Sequence, residues 1–216
     1  MSNVSPWEEA YLRFETPAEE IQKFRKRFHK LGISEWNKEA EIIDLFSGRG
    51  NGLQALSQLG FSRLEGVDYS AALAAEYKGP ARYHVADCRK LPFADESKDI
   101  AVVQGGLHHL IELPKDLDTT LGEVRRVLRP EGRFVIVEPW STPFLKFVHF
   151  VCEIGLARKM WDKLDALATM THYERDTYFG WLGQPQMVLD VLHRHFEPVQ
   201  ESFELGKLFF VGKRRG

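Results

Sequence analysis

Cysteine is scarce in this chain, which has only Cys88 and Cys152 among its 216 residues. Their separation matches neither a zinc-ligand spacing nor a redox motif, and nothing else in the chain suggests a disulfide framework. We therefore expect no metal site and a reducing compartment, the cytoplasm. The N-terminus also lacks the basic stretch followed by an apolar stretch that marks a secretory signal, so we expect no signal peptide.

An excess of either charge is absent as well. The 29 Lys and Arg residues nearly balance the 31 Asp and Glu residues, which gives a formal net charge of -2. Nucleic-acid binders use clustered positive charge to neutralise phosphates. The balance therefore argues against a nucleic-acid partner and favours a small-molecule substrate.

The chain has no long hydrophobic run. Its most apolar stretch, residues 144–156, is interrupted by Lys146, His149 and Glu153. It is also shorter than the roughly 20 residues that a membrane-spanning helix requires. We expect no stable membrane insertion, and the sequence gives no indication of the oligomeric state.

What the chain does have is enough hydrophobic content, 44%, to build one domain with a sizeable core. Residues 1–40 form an N-terminal helical segment, in which Thr16, Pro17 and Glu19 have the pattern of a capped helix start. Gly32 is placed to end that helix. The apolar stripe that should face the domain consists of Ile21, Phe24 and Phe28.

From residue 41 onward, short β-branched or aliphatic runs alternate with helical stretches. The runs, in order, are EIIDLF, RLEGVD, ARYHVAD, DIAVVQ and RFVIVE. The helical stretches lie near residues 52–59, 70–77 and 116–128. Because parallel strands need a crossover connection, this alternation predicts a doubly wound, mostly parallel α/β sheet over residues 41–139.

After residue 139 the alternation stops. Residues 140–183 are predicted to be mainly helical, and residues 184–216 to form a closing helix followed by two strands joined around Gly206. A tight connection makes such a strand pair antiparallel. We expect all four segments to belong to a single domain.

The first predicted strand leads directly into the glycine-rich turn DLFSGRGNG. A strand, a glycine-rich turn and a helix start place several backbone N–H groups beside a ligand. A nicotinamide-binding dehydrogenase is the alternative for such a turn, but its Gly-x-Gly-x-x-Gly fingerprint does not fit. Gly48, Gly50 and Gly52 are spaced two apart, and Leu53 stands where the third glycine of the fingerprint belongs.

Acidic residues follow the first three predicted strands: Asp44, Asp68 and Asp87. Asp68 is placed to accept hydrogen bonds from the hydroxyls of an adenosine ribose, or else to cap the helix that begins near Ser70. Asp87 has the same two interpretations. The combination favours ligand binding, because all three acids lie at the carboxyl edge, where open α/β sheets bind their ligands.

The ordered motifs DLFSGRG, EGVD, ADCRKLPFADESKDIAVV, GLHHL and EVRRVLRPEGRFVIVEP resemble those of class I S-adenosylmethionine-dependent methyltransferases. The resemblance is to the small-molecule branch that includes quinone and sterol methylating enzymes, and it covers roughly residues 41–139. It implies a Rossmann-like sheet of seven strands in the order 3-2-1-4-5-7-6 with the last strand antiparallel. It also implies S-adenosylmethionine as cofactor and S-adenosylhomocysteine as product.

The resemblance implies a role for each part of the cofactor cradle. The first strand end and the glycine turn would hold the methionine portion, Asp68 the ribose, and Asp87 with the backbone of Cys88 the adenine. Gln104 and Gly105 would line the methionine and sulfonium side. The complete implied set is Asp44, Phe46, Ser47, Gly48, Arg49, Gly50, Asp68, Tyr69, Asp87, Cys88, Gln104 and Gly105.

One part of the turn departs from the family pattern Asp-Leu-Gly-Cys-Gly-x-Gly. Phe46 stands where the first glycine belongs, and Arg49 occupies the variable position. Phe46 is either a core residue or an aromatic wall beside the cofactor, and the general burial of Phe favours the core. Arg49 either pairs with the cofactor carboxylate or faces solvent.

The candidate catalytic residues are His109, His108 and Glu138, which follow the fourth and fifth strands. Methyl transfer from a sulfonium requires an oriented acceptor and, when the acceptor is protonated, a base. His109 is the first candidate base, whereas one of the two histidines could instead be packed, and Glu138 could orient an acceptor or make a structural pair.

The helical stretch 140–183 lies where the family inserts helices that cover the substrate, which would make the acceptor partly apolar. Packing on the core is the alternative. The residues that could contact ligands from these outer segments are Trp7, Tyr11, Arg13, Trp140, His172, Tyr173 and Tyr178. A catalytically silent cofactor-binding subunit is the alternative function.

Overall fold

The computed structural model describes residues 6–216, and in this range helices cover both faces of a seven-stranded sheet. The strands are β1 (Ile42–Leu45), β2 (Leu64–Asp68), β3 (Arg82–Val85), β4 (Lys98–Gln104), β5 (Leu128–Pro139), β6 (Phe196–Glu204) and β7 (Lys207–Arg214). The helices are α1 (Pro6–Phe14), α2 (Pro17–Lys30), α3 (Asn51–Gln58), α4 (Ala71–Glu76), α5 (Lys115–Val127), α6 (Pro143–Cys152), α7 (Gly155–Met160), α8 (Asp162–Tyr173), α9 (Arg175–Leu182) and α10 (Pro185–His195).

The strand order is β3-β2-β1-β4-β5-β7-β6, as predicted. Strands β1 to β5 pair in parallel, and β7 is antiparallel to both β5 and β6. Leu205 and Gly206 form the two-residue turn between β6 and β7, with φ values of 46° and 78°. Positive φ at both turn positions matches the twist of a hairpin, so this short turn fixes the antiparallel pairing.

The start of α2 has the predicted capping box. The Thr16 hydroxyl accepts a hydrogen bond from the Glu19 backbone N–H, and the Glu19 side chain accepts one from the Thr16 N–H. Gly32 follows the helix with a φ of 72°, a conformation that glycine adopts without steric cost. Phe24 and Phe28 are buried, so the predicted apolar face does pack on the sheet.

Alternation along the strands divides the core into two layers. Ile43, Leu45 and Phe134 point to the face covered by α5 and α10. Ile42 and Val135 point to the opposite face, under α2 and α3. Because side chains alternate across a strand, each central strand contributes to both layers, at roughly 1.5–3 kcal/mol for each fully buried aliphatic side chain.

Two strand boundaries differ from the prediction. Strand β3 ends at Val85, two residues before Asp87, and β5 begins at Leu128, five residues before the predicted run at Arg133. The early start of β5 arises because Lys98 pairs with Leu128 before a register shift, after which Ile100 pairs with Arg133. No helix in residues 6–216 has the length and apolar character needed to cross a membrane.

Candidate active site

A cavity of about 430 Å³ opens at the carboxyl edge of β1 and β4. Its floor is formed by the turn after β1 and by Gln104 and Gly105 after β4. Its walls come from α1, α2, α8 and α9. The cavity lies where the strand order reverses between β1 and β4, the place at which open α/β sheets bind ligands.

Asp44 is a buried carboxylate at the centre of this floor, only 4% exposed. Its Oδ2 accepts a hydrogen bond of 2.8 Å from the Ser47 hydroxyl. Gly52 leaves room for it, since a Cβ there would lie 2.5 Å from Asp44 Oδ2. Burial raises the pKa of Asp44 to about 7, with smaller contributions from Asp68 and Glu20. A positively charged ligand group beside Asp44 would therefore stabilise its ionised form.

Asp68 connects the end of β2 to the glycine turn. Its Oδ2 accepts from the Gly48 N–H at 2.9 Å and its Oδ1 from the Ser70 N–H at 2.8 Å. The alternative that Asp68 caps α4 is wrong, because the cap is Ser70, whose hydroxyl accepts from the Leu73 N–H. Asp68 lines the cavity, and its oxygens retain lone pairs for ligand hydroxyls.

The conformation of the turn shows how Phe46 is accommodated where the family pattern has its first glycine. Phe46 has a φ of 55°, in the left-handed region that an L-residue enters at a cost of roughly 1–2 kcal/mol. Its ring lies against Gly106, where an added Cβ would overlap it. Phe46 both lines the cavity and packs against the core, so its two interpretations are combined. Gly50, with a φ of 78°, has the Tyr77 ring in the space of a side chain.

Arg49 also lines the cavity, but its guanidinium is already paired. It donates to Glu8 of α1 and to Glu76 of α4, and its side chain is only 14% exposed. The solvent-facing alternative is therefore wrong. In this structure Arg49 instead ties the N-terminal helix to the glycine turn.

Four residues assigned to the cofactor by the resemblance do not line this cavity: Gly50, Tyr69, Asp87 and Cys88. The Tyr69 side chain is 80% exposed. Hydrogen bonds from Arg89 lower the pKa of Asp87 and occupy both of its oxygens. Burial raises the pKa of Cys88 to about 11, so its thiol stays protonated beside Thr120. Their roles in cofactor binding remain predictions.

Glu138 is fully buried behind the loop that follows β4. Its Oε1 accepts from the backbone N–H groups of Gly106 and Leu107 at 2.7 and 2.8 Å, and its Oε2 lies 2.7 Å from His108 Nδ1. Burial alone would raise the pKa of Glu138, but these hydrogen bonds outweigh it and lower the pKa. Glu138 does not line the cavity, so the structural pairing considered for it is the one observed.

His108 and His109 both line the cavity, next to Glu174 of α8–α9. His108 is buried, and its Nε2 lies 3.9 Å from Glu174 Oε2. His109 Nδ1 lies 3.6 Å from Glu174 Oε1, and 39% of the His109 side chain is exposed. Burial in the surrounding protein and, to a smaller extent, the electrostatic effect of neighbouring His108 lower the pKa of His109. His109 is thus a neutral imidazole facing the cavity, as a general base must be.

The same three side chains are compatible with a metal ion, which the cysteine spacing did not suggest. Their ligand atoms all lie within 4.8 Å of one another. Imidazole and carboxylate groups are ligands that several divalent metals accept. The sequence had pointed to the histidines but gave no signal for Glu174, which is 65 residues further along the chain.

The outer helices cover the cavity unequally. Trp7 and Tyr11 of α1 stack at 5.2 Å and line it together with Met170 of α8 and Tyr178 of α9. Arg13 does not reach it, and pairs with Asp162 and Asp165 at the start of α8. Outside it as well are Trp140, His172 and Tyr173. Neither α6 nor α7 contributes a described residue to the wall, so only the second half of the 140–183 segment covers the site.

Sequence reasoning also missed several polar residues of the cavity, among them Glu20, Arg27, Asn51 and Lys207. Glu20 accepts from the Tyr11 hydroxyl at 2.5 Å and from the Asn51 amide at 2.8 Å, which joins α1, α2 and α3. Its burial on a helix otherwise rich in exposed charge is the signal that could have identified it. The sequence gave no such signal for Lys207, because Lys207 lies far along the chain from the motifs whose residues line the cavity.

Comparisons with known proteins agree with this geometry. Residues 43–136 match the family model for a methyltransferase domain. Over 120 residues the chain is 33% identical to the ubiquinone/menaquinone biosynthesis C-methyltransferase UbiE of Geotalea daltonii, covering 50% of this chain and 49% of that protein. The chain thus spans about half the length of the curated relatives it matches.

Solved structures share the fold across most of the chain. The PH0226 protein of Pyrococcus horikoshii OT3 superposes with a TM-score of 0.64 at 19% identity, over 90% of this chain and 92% of that one. The 1,6-didemethyltoxoflavin-N1-methyltransferase of Burkholderia thailandensis, solved with its substrate and S-adenosylhomocysteine, gives a TM-score of 0.55 at 19% identity, over 91% and 79%. The predicted Rossmann-like methyltransferase fold is confirmed.

Proposed function

We propose that this chain is a class I S-adenosylmethionine-dependent methyltransferase and transfers a methyl group from S-adenosylmethionine to a small, partly apolar molecule, in agreement with the match of residues 43–136 to a methyltransferase domain. The observation that carries the proposal is the pair of acids at the floor of the cavity. Asp44 is buried and has no cationic partner among residues 6–216, and Asp68 lines the same cavity from the next strand.

These acids match two polar parts of the cofactor: the ammonium group of its methionine portion and the hydroxyls of its ribose. The methionine ammonium would restore the ionised form of Asp44, whose pKa is raised to about 7 by burial. The ribose hydroxyls would donate to Asp68, which is already oriented by the Gly48 and Ser70 N–H groups. When bound, S-adenosylmethionine supplies an activated methyl group on a positively charged sulfur.

The residues of this chain then position the acceptor and remove its proton. His109 lines the cavity as a neutral imidazole. It would remove a proton from the methyl acceptor, from a hydroxyl, an amine or an acidic C–H group. Glu174, 3.6 Å from His109 Nδ1, would orient the ring so that Nε2 faces the acceptor. Glu138 and His108 are positioning residues, since they fix the loop that carries His109.

Apolar side chains that line the cavity favour an apolar methyl acceptor. They include Trp7, Leu167, Met170 and Val137. The relative from Geotalea daltonii is a C-methyltransferase of ubiquinone and menaquinone biosynthesis. We propose a partly apolar acceptor, and a cytoplasmic site of action in keeping with the two free cysteines.

A test uses methyl-labelled S-adenosylmethionine and a metabolite extract, with three forms of the protein. We expect transfer of label by the wild type and by Glu204→Gln, a control at a surface ion pair with Lys30. We expect no transfer by Asp44→Asn, which cannot provide the negative charge for the methionine ammonium. If all forms bind S-adenosylhomocysteine but none transfers label, the chain is a catalytically silent binding subunit and the proposal fails.

A further inference from the structure

Several hydrogen-bond donors line the cavity, and two of them have no acceptor among the described residues. The donors are Lys207, Arg27 and Gln104. Within residues 6–216, Lys207 makes no side-chain hydrogen bond or ion pair. The Gln104 side-chain nitrogen is buried and has no partner either. Leaving a buried donor unpaired is costly, so such a group is expected to meet an acceptor on a ligand.

Lys207 is unusual because its neighbours repel its charge. Burial and, to a smaller extent, the positive charges of Arg27 and Lys23 lower its pKa to about 7, against weaker attraction from Glu138 and Glu15. Lys23 is already paired with Glu15 and Glu20. An added negative charge would therefore stabilise the ammonium form of Lys207.

Arg27 extends the same group of donors from α2. It donates to Gln104 Oε1 at 3.4 Å, which leaves the unpartnered Gln104 nitrogen on the other side of the amide. No carboxylate in the described range lies within ion-pair distance of the Arg27 guanidinium. Two cations and one amide N–H₂ therefore line the cavity, and the carboxylates of Glu15 and Glu20 that also line it are already paired with Lys23.

Sheet geometry separates Lys207 from Asp44 and Asp68 of the cofactor cradle. Gln104 pairs with Val137 on β5, and Lys207 on β7 pairs with Pro139 two residues further along β5. With strands about 4.8 Å apart and about 3.3 Å per residue, the Lys207 and Gln104 backbones are about 12 Å apart. Lys207 is thus two strands beyond β4 on the side away from β1 and Asp44.

We propose that Lys207, with Arg27 and Gln104, binds an anionic group of the methyl acceptor, a carboxylate or a phosphate. The inference rests on the proposed function, because it assigns these donors to the acceptor. Arg27 reaches Gln104 from α2, and Lys207 lines the same cavity from a backbone about 12 Å from that of Gln104. The acceptor thus combines an apolar body with an anionic end.

The test measures anion binding by isothermal titration calorimetry on the full chain saturated with S-adenosylhomocysteine. Benzoate and inorganic pyrophosphate serve as probes, and Lys207→Gln is compared with Lys213→Gln, a control on the same strand that pairs with Glu131. We expect at least one probe to bind the wild type and the control, and to bind Lys207→Gln at least tenfold more weakly, the loss of one charge-assisted hydrogen bond.

The pH dependence adds a second readout. Benzoate stays ionised between pH 6 and pH 8, so its affinity should fall over this range as Lys207 loses its proton near its pKa of about 7. Arg27→Gln should weaken the probe as well, and Lys207→Arg should retain it. These two variants preserve the test if Lys207→Gln does not fold, which circular dichroism would reveal.

Three results would overturn the inference: no binding of either probe by the wild type, unchanged probe binding in Lys207→Gln and Arg27→Gln, or a tenfold loss of S-adenosylhomocysteine affinity in Lys207→Gln. The last result would assign Lys207 to the cofactor's own carboxylate. Failure of the proposed function is distinguishable, because it appears in the wild type alone, as absence of S-adenosylhomocysteine binding or of label transfer.

Discussion

Replacing Glu138 by Gln tests how the loop that carries the histidines is held. The substitution keeps the size and shape of the side chain. Gln Oε1 can still accept from the Gly106 and Leu107 N–H groups, but its amide nitrogen then faces His108 Nδ1, which the carboxylate contacts at 2.7 Å in the wild type. The charge-assisted hydrogen bond is lost, and His108 must present a lone pair instead of a proton.

The magnitude follows from the lost bond. A hydrogen bond to a charged group contributes roughly 1.5–3 kcal/mol, so we expect the free energy of unfolding to fall by about 2 kcal/mol. For a chain of this length, that corresponds to a decrease in Tm of about 4–8 °C. Removing a buried charge can also stabilise a protein. Here the lowered pKa of Glu138 indicates that its hydrogen bonds outweigh the cost of burial.

The pH dependence has a defined sign. A carboxyl group with a lowered folded-state pKa contributes stability above its ordinary pKa of 4.5, and that contribution is lost as the pH falls through the folded-state value. The Tm difference between wild type and Glu138→Gln should therefore be constant from pH 6 to pH 8 and shrink below pH 4.5. Differential scanning calorimetry measures it, with Glu204→Gln as the surface control. An equal or higher Tm for Glu138→Gln at pH 7 would refute the reasoning.

Three other substitutions test separate parts of the site. Asp68→Ala should weaken S-adenosylhomocysteine binding at least tenfold by calorimetry, and unchanged affinity would restrict Asp68 to holding the Gly48 turn. His109→Asn should lower turnover of labelled S-adenosylmethionine with nearly unchanged cofactor affinity, and full activity would exclude His109 as the base. Gly106→Ala should lower stability by about 1–3 kcal/mol through overlap with the Phe46 ring, and by clearly less in a Phe46→Gly background. An equal loss in both backgrounds would contradict the contact.

The fold could be predicted from the sequence because its signals are local. The capping box at Thr16 and Glu19 acts over three residues, and the turn at Gly206 fixes its strand pair without any other part of the chain. Strand runs and helices alternate within about 30 residues, the length of one crossover unit. The strand ends were less certain, because the register shift after Lys98 depends on the neighbouring strand.

The candidate site was predicted in part. Asp44, Asp68 and His109 could be found because each follows a strand whose carboxyl end must lie at the same edge. The partners of Arg49 could not, since Glu8 and Glu76 come from helices whose orientation depends on tertiary packing. The same holds for Glu174 beside the histidines and for Lys207, which no nearby motif places in the cavity.

The most direct test of the central claim is isothermal titration calorimetry of S-adenosylhomocysteine, with NADH as the competing ligand. The account predicts saturable binding of one S-adenosylhomocysteine per chain, at least tenfold weaker in Asp44→Asn, and no binding of NADH. Binding of NADH with no response to S-adenosylhomocysteine would contradict it.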